Sequence, residues 1–194
     1  VIQESVDASF SHPFDAAILH NKFNYLYLLL ELDKYEPEYS VNQKIRIIHA
    51  PSDDGIKGTN YVLDAIQKLK SDKVDFEFEL LKGKSHEEVK AAIRSADILI
   101  DQMIAGWYGL ISVEAMALGK TTVCFLRDDL YNFIPEIPII NLNPDNLADG
   151  LKKLIMEKEK LSNYGIAGRK FAEKYHDHVK NSIDMLRITI GEKH

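Results

Sequence analysis

Gly106-Trp107-Tyr108-Gly109-Leu110-Ile111-Ser112-Val113-Glu114-Ala115-Met116-Ala117-Leu118-Gly119 reads as a strand exit, a glycine-bearing loop and the start of a helix. The run before it, Ala96-Asp97-Ile98-Leu99-Ile100-Asp101, and the run after it, Thr121-Thr122-Val123-Cys124-Phe125-Leu126, are short and apolar in the manner of buried strands. The loop therefore opens a helix between two parallel strands. Gly106 and Gly109 remove the Cβ that would hold a ligand off the backbone, and a helix starting at Leu110 aims unpaired N–H groups at an anion. A phosphate suits that arrangement.

Glu114 falls about one turn inside this helix, among small and apolar neighbours. A carboxylate only accepts hydrogen bonds, so at that place it requires donors. Ligand hydroxyls such as a ribose diol are one source, and a neighbouring backbone group or lysine is the other.

Working outward, Ile45 to His49 is a strand with a turn-rich exit through Pro51-Ser52-Asp53-Asp54-Gly55, after which Lys57-Gly58-Thr59 opens a helix to about Lys70. Asp75 to Leu81 alternates polar and apolar residues and is a second strand, closed by Lys82-Gly83-Lys84. Ser85-His86-Glu87-Glu88 has the form of a capping box that starts a helix to Ser95. A short strand at Ile137 to Leu142 precedes a helix from Leu147 to about Lys158, and charged helices follow to the terminus. The alternation predicts an α/β fold with a Rossmann-like parallel sheet flanked by helices. In such a sheet the loops after the strands line one crevice, so Lys82 and His86 would border it, although capping alone explains His86 equally well.

The segment from Asp15 to Leu32 is apolar on more than one face and predicts a buried helix. His176 and His178 are two apart, which points them to different faces of a helix; they are expected to be solvated rather than to share a metal. Asp53 and Asp54 lie in a turn, where adjacent acids are mostly local hydrogen bonders, and no octahedral oxygen set surrounds them. No metal and no cofactor is expected.

The 194 residues suffice for a core without staples, and a net charge of -6 gives no electrostatic footprint for nucleic acid. The single Cys124 lies in an apolar strand pattern and reads as a buried, reduced thiol. No run approaches the ~18 apolar residues of a membrane span, and the N-terminus lacks a signal pattern. These features predict a soluble, cytoplasmic chain.

Gly106-Trp107-Tyr108-Gly109 with Glu114-Ala115-Met116-Ala117-Leu118-Gly119-Lys120 resembles the signature loop of GT-B glycosyltransferases of family 4, the glycosyl-transferases-group-1 type (GT4). Ile45-Arg46-Ile47-Ile48-His49-Ala50-Pro51-Ser52, followed by Ile56-Lys57-Gly58-Thr59, is similar to the strand, loop and helix start that open the donor domain of that family. The two motifs in this order are more specific than either alone. The resemblance implies transfer of a hexose, with retention, from a nucleotide diphosphate sugar to a saccharide or lipid-linked acceptor in polysaccharide biosynthesis. It implies diphosphate contacts at Lys57, Gly58, Gly109, Leu110 and Ser52, a ribose contact at Glu114, and a pocket shaped by Gly106, Trp107, Tyr108, Lys82 and His86. An ammonium beside a helix start is physically apt for a diphosphate.

Two departures from the family stand out. Many members carry an arginine where this chain has Ser52, and its loss weakens a diphosphate site by about 1 to 3 kcal/mol unless Arg127 or a residue of another domain replaces it. Many also carry an earlier glutamate that addresses the donor sugar, and its position here is Gly106. No catalytic residue is therefore assigned.

The resemblance also implies a division of the chain. Residues 1–40 would be a linker and helical segment leading in from a missing N-terminal acceptor domain, 41–176 the Rossmann-like donor domain, and 177–194 a helix packing toward the missing domain. Ile183, Leu186 and Ile190 of that helix would then form a vacated interface. Alone, the chain would be incomplete for catalysis, with any peripheral association at the inner membrane face made through the missing domain. Two alternatives are a non-catalytic nucleotide-sugar-binding module working with a partner subunit and a nucleotide-sugar epimerase of GT-B fold.

Overall fold

Short apolar segments that exit into polar loops pair into one parallel sheet in the computed structural model, which describes residues 9–11, 24–134 and 136–191. Near the N-terminus, β1 (Phe10–Ser11) and β2 (Asn24–Tyr25) make a separate two-residue parallel pair. The main sheet contains β3 (Arg46–His49), β4 (Glu77–Leu80), β5 (Ile98–Ile100), β6 (Thr121–Cys124) and β7 (Ile140–Asn141). Their order is β4-β3-β5-β6-β7, and every pairing is parallel. The chain winds outward from β3 in both directions, so the order reverses between β3 and β5. In open α/β sheets that reversal leaves a crevice beyond the carboxyl ends of the two strands.

Helices cover both faces: α1 (Asp54–Lys57), α2 (Thr59–Ser71), α3 (His86–Ser95), α4 (Leu110–Ala117), α5 (Leu147–Met156), α6 (Leu161–Tyr175) and α7 (His178–Thr189). Successive strand residues point to opposite faces, and the core divides accordingly. Ile47, Ile98 and Ile100 pack with Val62, Ile66 and Leu69 of α2 and Leu151 of α5. Ile48 and Leu99 pack with Ile93 of α3, Val113 and Met116 of α4 and Phe171 of α6. The buried apolar residues of α2, Val62, Ala65, Ile66 and Leu69, recur at helical spacing and form a single stripe. Each fully buried aliphatic side chain contributes about 1.5–3 kcal/mol.

A close helix contact fixes α4. A Cβ on Gly165 of α6 would lie 1.9 Å from the Gly119 carbonyl oxygen, and one on Gly168 would lie 3.1 Å from Met116 Cγ. Only glycine lets α6 approach the end of α4 so nearly.

Two expectations are corrected. Of the helix expected over 15–32, residues 15–23 lie outside the described residues, whereas 24–32 contain β2, an extended stretch and the start of a 3-10 turn at Leu32–Lys34. Long-range backbone pairing draws this stretch out: Leu30 N–H donates to the His176 carbonyl, and His178 N–H donates to the Leu30 carbonyl. His176, expected in solvent, is fully buried. Its Nδ1–H donates to the Leu28 carbonyl at 2.7 Å, which leaves Nε2 to accept from the Tyr108 hydroxyl at 3.2 Å. Cys124 is a buried free thiol, and burial pushes its pKa up. Among the described residues no helix is long and apolar enough to cross a membrane.

Candidate functional site

Beyond the carboxyl ends of β3 and β5 lies a cleft of about 280 Å³, lined by Ser52, Lys57, His86, Leu110 and Glu114 together with Ala50, Val89 and Ile111. Five residues singled out in the sequence thus meet from four segments of the chain. The loop after β3 supplies Ser52, α1 supplies Lys57, α3 supplies His86, and α4 supplies Leu110 and Glu114.

Local chemistry explains each placement. Asp53 caps α1, its Oδ1 accepting the Ile56 N–H at 2.8 Å, and Gly58 ends that single turn in the left-handed region at φ 67°. Lys57 is consequently the last residue of α1, and the longer helix α2 starts after it at Thr59. Ser85 and Glu88 form the expected capping box, which sets His86 at the head of α3. The hydrogen bonds from the Ser85 backbone and hydroxyl hold the Glu88 carboxyl down at about 2. α4 has Gly109 as N-cap, and the N–H groups of Leu110 and Ile111, in its first turn, have no partner within the helix.

Glu114 is 5% exposed. Its Oε1 accepts the Tyr35 hydroxyl at 2.7 Å and faces His86 Nε2 at 2.5 Å. Among the described residues neither a backbone group nor a lysine serves it. Among the described residues no donor reaches Oε2. Burial and the neighbouring Glu114 push the Tyr35 hydroxyl well above its usual range, so it remains a donor.

At the base of the cleft, Lys57 Nζ is paired with Asp101, whose side chain is fully buried. The other Asp101 oxygen accepts the Gly109 N–H at 2.6 Å and the Ser112 hydroxyl at 2.7 Å. Gly109 permits this assembly, because a Cβ there would stand 3.1 Å from Lys57 Nζ and 3.2 Å from Asp101 Oδ2. Beneath it, His49 is wholly buried. A carbonyl can only accept, so His49 Nδ1–H donates to Ile100 at 2.9 Å and Nε2 accepts from Thr59 Oγ1 at 3.1 Å. Burial lowers its pKa and holds the imidazole neutral.

Sucrose-phosphate synthase from Thermosynechococcus elongatus superposes with a TM-score of 0.67 at 13% identity, over 90% of this chain and 54% of that one. A TarM variant from S. aureus, solved with Fondaparinux, alpha-GlcNAc-glycerol and UDP, gives a TM-score of 0.70 at 12% identity, over 96% of this chain and 44% of that one. HepE from Anabaena, solved with UDP-glucose, gives 0.61 at 13% identity, over 85% and 56%. The fold is that of GT-B glycosyltransferases. This chain spans about half the length of those GT-B proteins. No family profile matches the chain, and no curated protein does.

The other residues singled out in the sequence do not line the cleft. Trp107 and Tyr108 are 4% and 1% exposed and stack on each other at 4.4 Å, in an aromatic core with Tyr25, Phe171 and His176. Gly106, at φ 74°, lies under Arg127, whose Cγ would be 2.4 Å from an added Cβ. Arg127 itself pairs with Asp129. Lys82 pairs with Asp54 at 2.5 Å, tying the loop after β4 to α1. Gly58 serves as the break between α1 and α2.

Sequence reasoning gave no role to Tyr35, His49, Asp101 or Ser112. For Asp101 a signal existed: an acid closing a run as apolar as Ile98-Leu99-Ile100 requires donors as Glu114 does.

Proposed function

We propose that the chain is the donor-binding half of a metal-independent, retaining glycosyltransferase of the GT4 type, moving a hexose from a nucleotide diphosphate sugar to a saccharide or lipid-linked acceptor. The observation that carries this reading is the convergence of Lys57, the open N–H groups of α4 and the half-satisfied Glu114 on one cleft at the point where strand order reverses. The diphosphate would lie against Lys57, Ser52 and the first turn of α4. The ribose diol would donate to Glu114 Oε2, and the base would lie toward His86 and Val89.

As the sugar–phosphate bond breaks, negative charge grows on the departing diphosphate. Lys57 and the Leu110 and Ile111 N–H groups are preorganised to stabilise it, which is electrostatic catalysis. The cleft is small for a whole nucleotide sugar, since pockets that enclose such ligands run from about 300 to 1,000 Å³. A second wall, the acceptor domain expected from the resemblance, would complete it. The same domain would cover Ile183 and Leu186 of α7 and Ile190 just after it, which are 44%, 64% and 67% exposed.

A thermal-shift panel of ribonucleoside diphosphates tests the reading. Ligand at a hundred times its Kd stabilises the folded state by about 2.7 kcal/mol, so one base is expected to raise the Tm clearly. A panel in which none does contradicts the proposal.

A further inference from the structure

We propose that Asp101 limits the grip of this cleft on a diphosphate, by taking the N-cap amide of α4 beside the open Leu110 and Ile111 N–H groups and sharing Lys57 with the ligand. The inference rests on the donor-site reading above.

The side chain of Asp101 is fully buried, and its three donors are an ammonium, the N-cap amide of α4 and a hydroxyl from the same helix. An ammonium and a helix-terminal amide are what a bound phosphate would use, so the protein carries an anion of its own beside the place of the diphosphate. Asp101 is held on one oxygen by Gly109 and Ser112, both part of the α4 head, and it has no open route to solvent. Lys57 is the partner free to move: its side chain retains 15% exposure and it ends a single-turn helix that faces the cleft.

An arriving diphosphate therefore meets a neutral pair rather than a bare cation. It takes hold of Lys57 while Lys57 still answers to Asp101, and two anions that share one cation repel each other across a poorly screened gap. The outcome is a site that neutralises charge on a leaving diphosphate yet lets the product depart. Asp101 acts through Lys57 and is a positioning residue.

Asp101→Asn preserves size and leaves an oxygen to accept from Gly109 N–H and Ser112 Oγ while removing the charge that occupies Lys57. Calorimetric titration with inorganic pyrophosphate, and with the ribonucleoside diphosphate preferred by the wild type, is expected to give at least fivefold tighter binding in Asp101→Asn. That gain should vanish in Asp101→Asn/Lys57→Met. A carboxylate with a merely structural role would weaken binding when removed, so unchanged or weaker affinity in the folded variant, or a gain that survives Lys57→Met, overturns the inference. In the wild-type protein, where folding is not at issue, the Asp101 carboxyl carbon-13 resonance is expected to move on saturation with pyrophosphate, and an unmoved resonance also contradicts it. Wild-type binding without tightening in Asp101→Asn defeats this inference alone; no binding of either ligand by either protein defeats the donor-site reading with it.

Discussion

His86 Nε2 stands 2.5 Å from Glu114 Oε1, so the first residue of α3 closes over a carboxylate buried in α4. The Tyr35 hydroxyl donates to the same oxygen at 2.7 Å. Glu114 is thereby fixed in place while its second oxygen stays available to a ligand hydroxyl.

A ribonucleoside diphosphate is accordingly expected to bind the wild type more tightly than its 2′,3′-dideoxy counterpart. Glu114→Ala should erase that difference and lose at least about 1 kcal/mol of affinity for the ribose form. Calorimetric titration of both ligands on both proteins measures it, and equal affinities in the wild type would count against a ribose contact.

Lys57→Ala should act on the phosphates alone. Losing a hydrogen bond to a charged group costs about 1.5–3 kcal/mol, so the diphosphate should weaken by that amount while the nucleoside is little changed. Comparable losses for the two ligands contradict a phosphate role for Lys57.

His49 makes stability depend on pH. Its folded pKa lies below its unfolded value of about 6.5, because burial disfavours the imidazolium. As pH falls through 6.5 the unfolded chain takes up the proton first, so the stability that His49 contributes is complete above that pH and declines below it. Urea melts at pH near 7.5 and near 5 are expected to show a larger loss for the wild type than for His49→Gln.

Gly165→Ala tests the contact that holds α4. The added methyl would meet backbone, the Gly119 carbonyl, at 1.9 Å, so α6 must shift bodily. Destabilisation of about 3 kcal/mol is expected in denaturant melts, the upper end of the usual range for overpacking. A variant as stable as the wild type would mean that α6 does not pack against α4 in this way.

The alternation of strands and helices was legible because each strand is a short apolar or alternating run that exits into a polar turn. The start of α3 was legible because Ser85 and Glu88 satisfy each other locally. What escaped depends on distant partners. Residues 24–32 have the composition of a buried helix, yet Leu30 pairs with the backbone around His176 and His178, so tertiary contacts override local preference. Trp107 in a glycine loop is equally suited to a ligand or to a core, and the stacking of Tyr108 and the edge of Tyr25 decide for the core. Lys57 was readable as a cation beside a helix start, and Glu114 as an acceptor in need of donors. The partners themselves, Asp101 for one and Tyr35 and His86 for the other, lie far along the chain, where spacing carries no signal.

The most direct test of the donor cleft is an amide nitrogen-15 NMR titration of the protein with the ribonucleoside diphosphate chosen by the thermal-shift panel. Saturable shifts are expected at Ser52, Lys57, His86, Leu110 and Ile111, with none at α7. Shifts confined to other surfaces, or a spectrum unchanged at millimolar ligand for every base, would contradict the account.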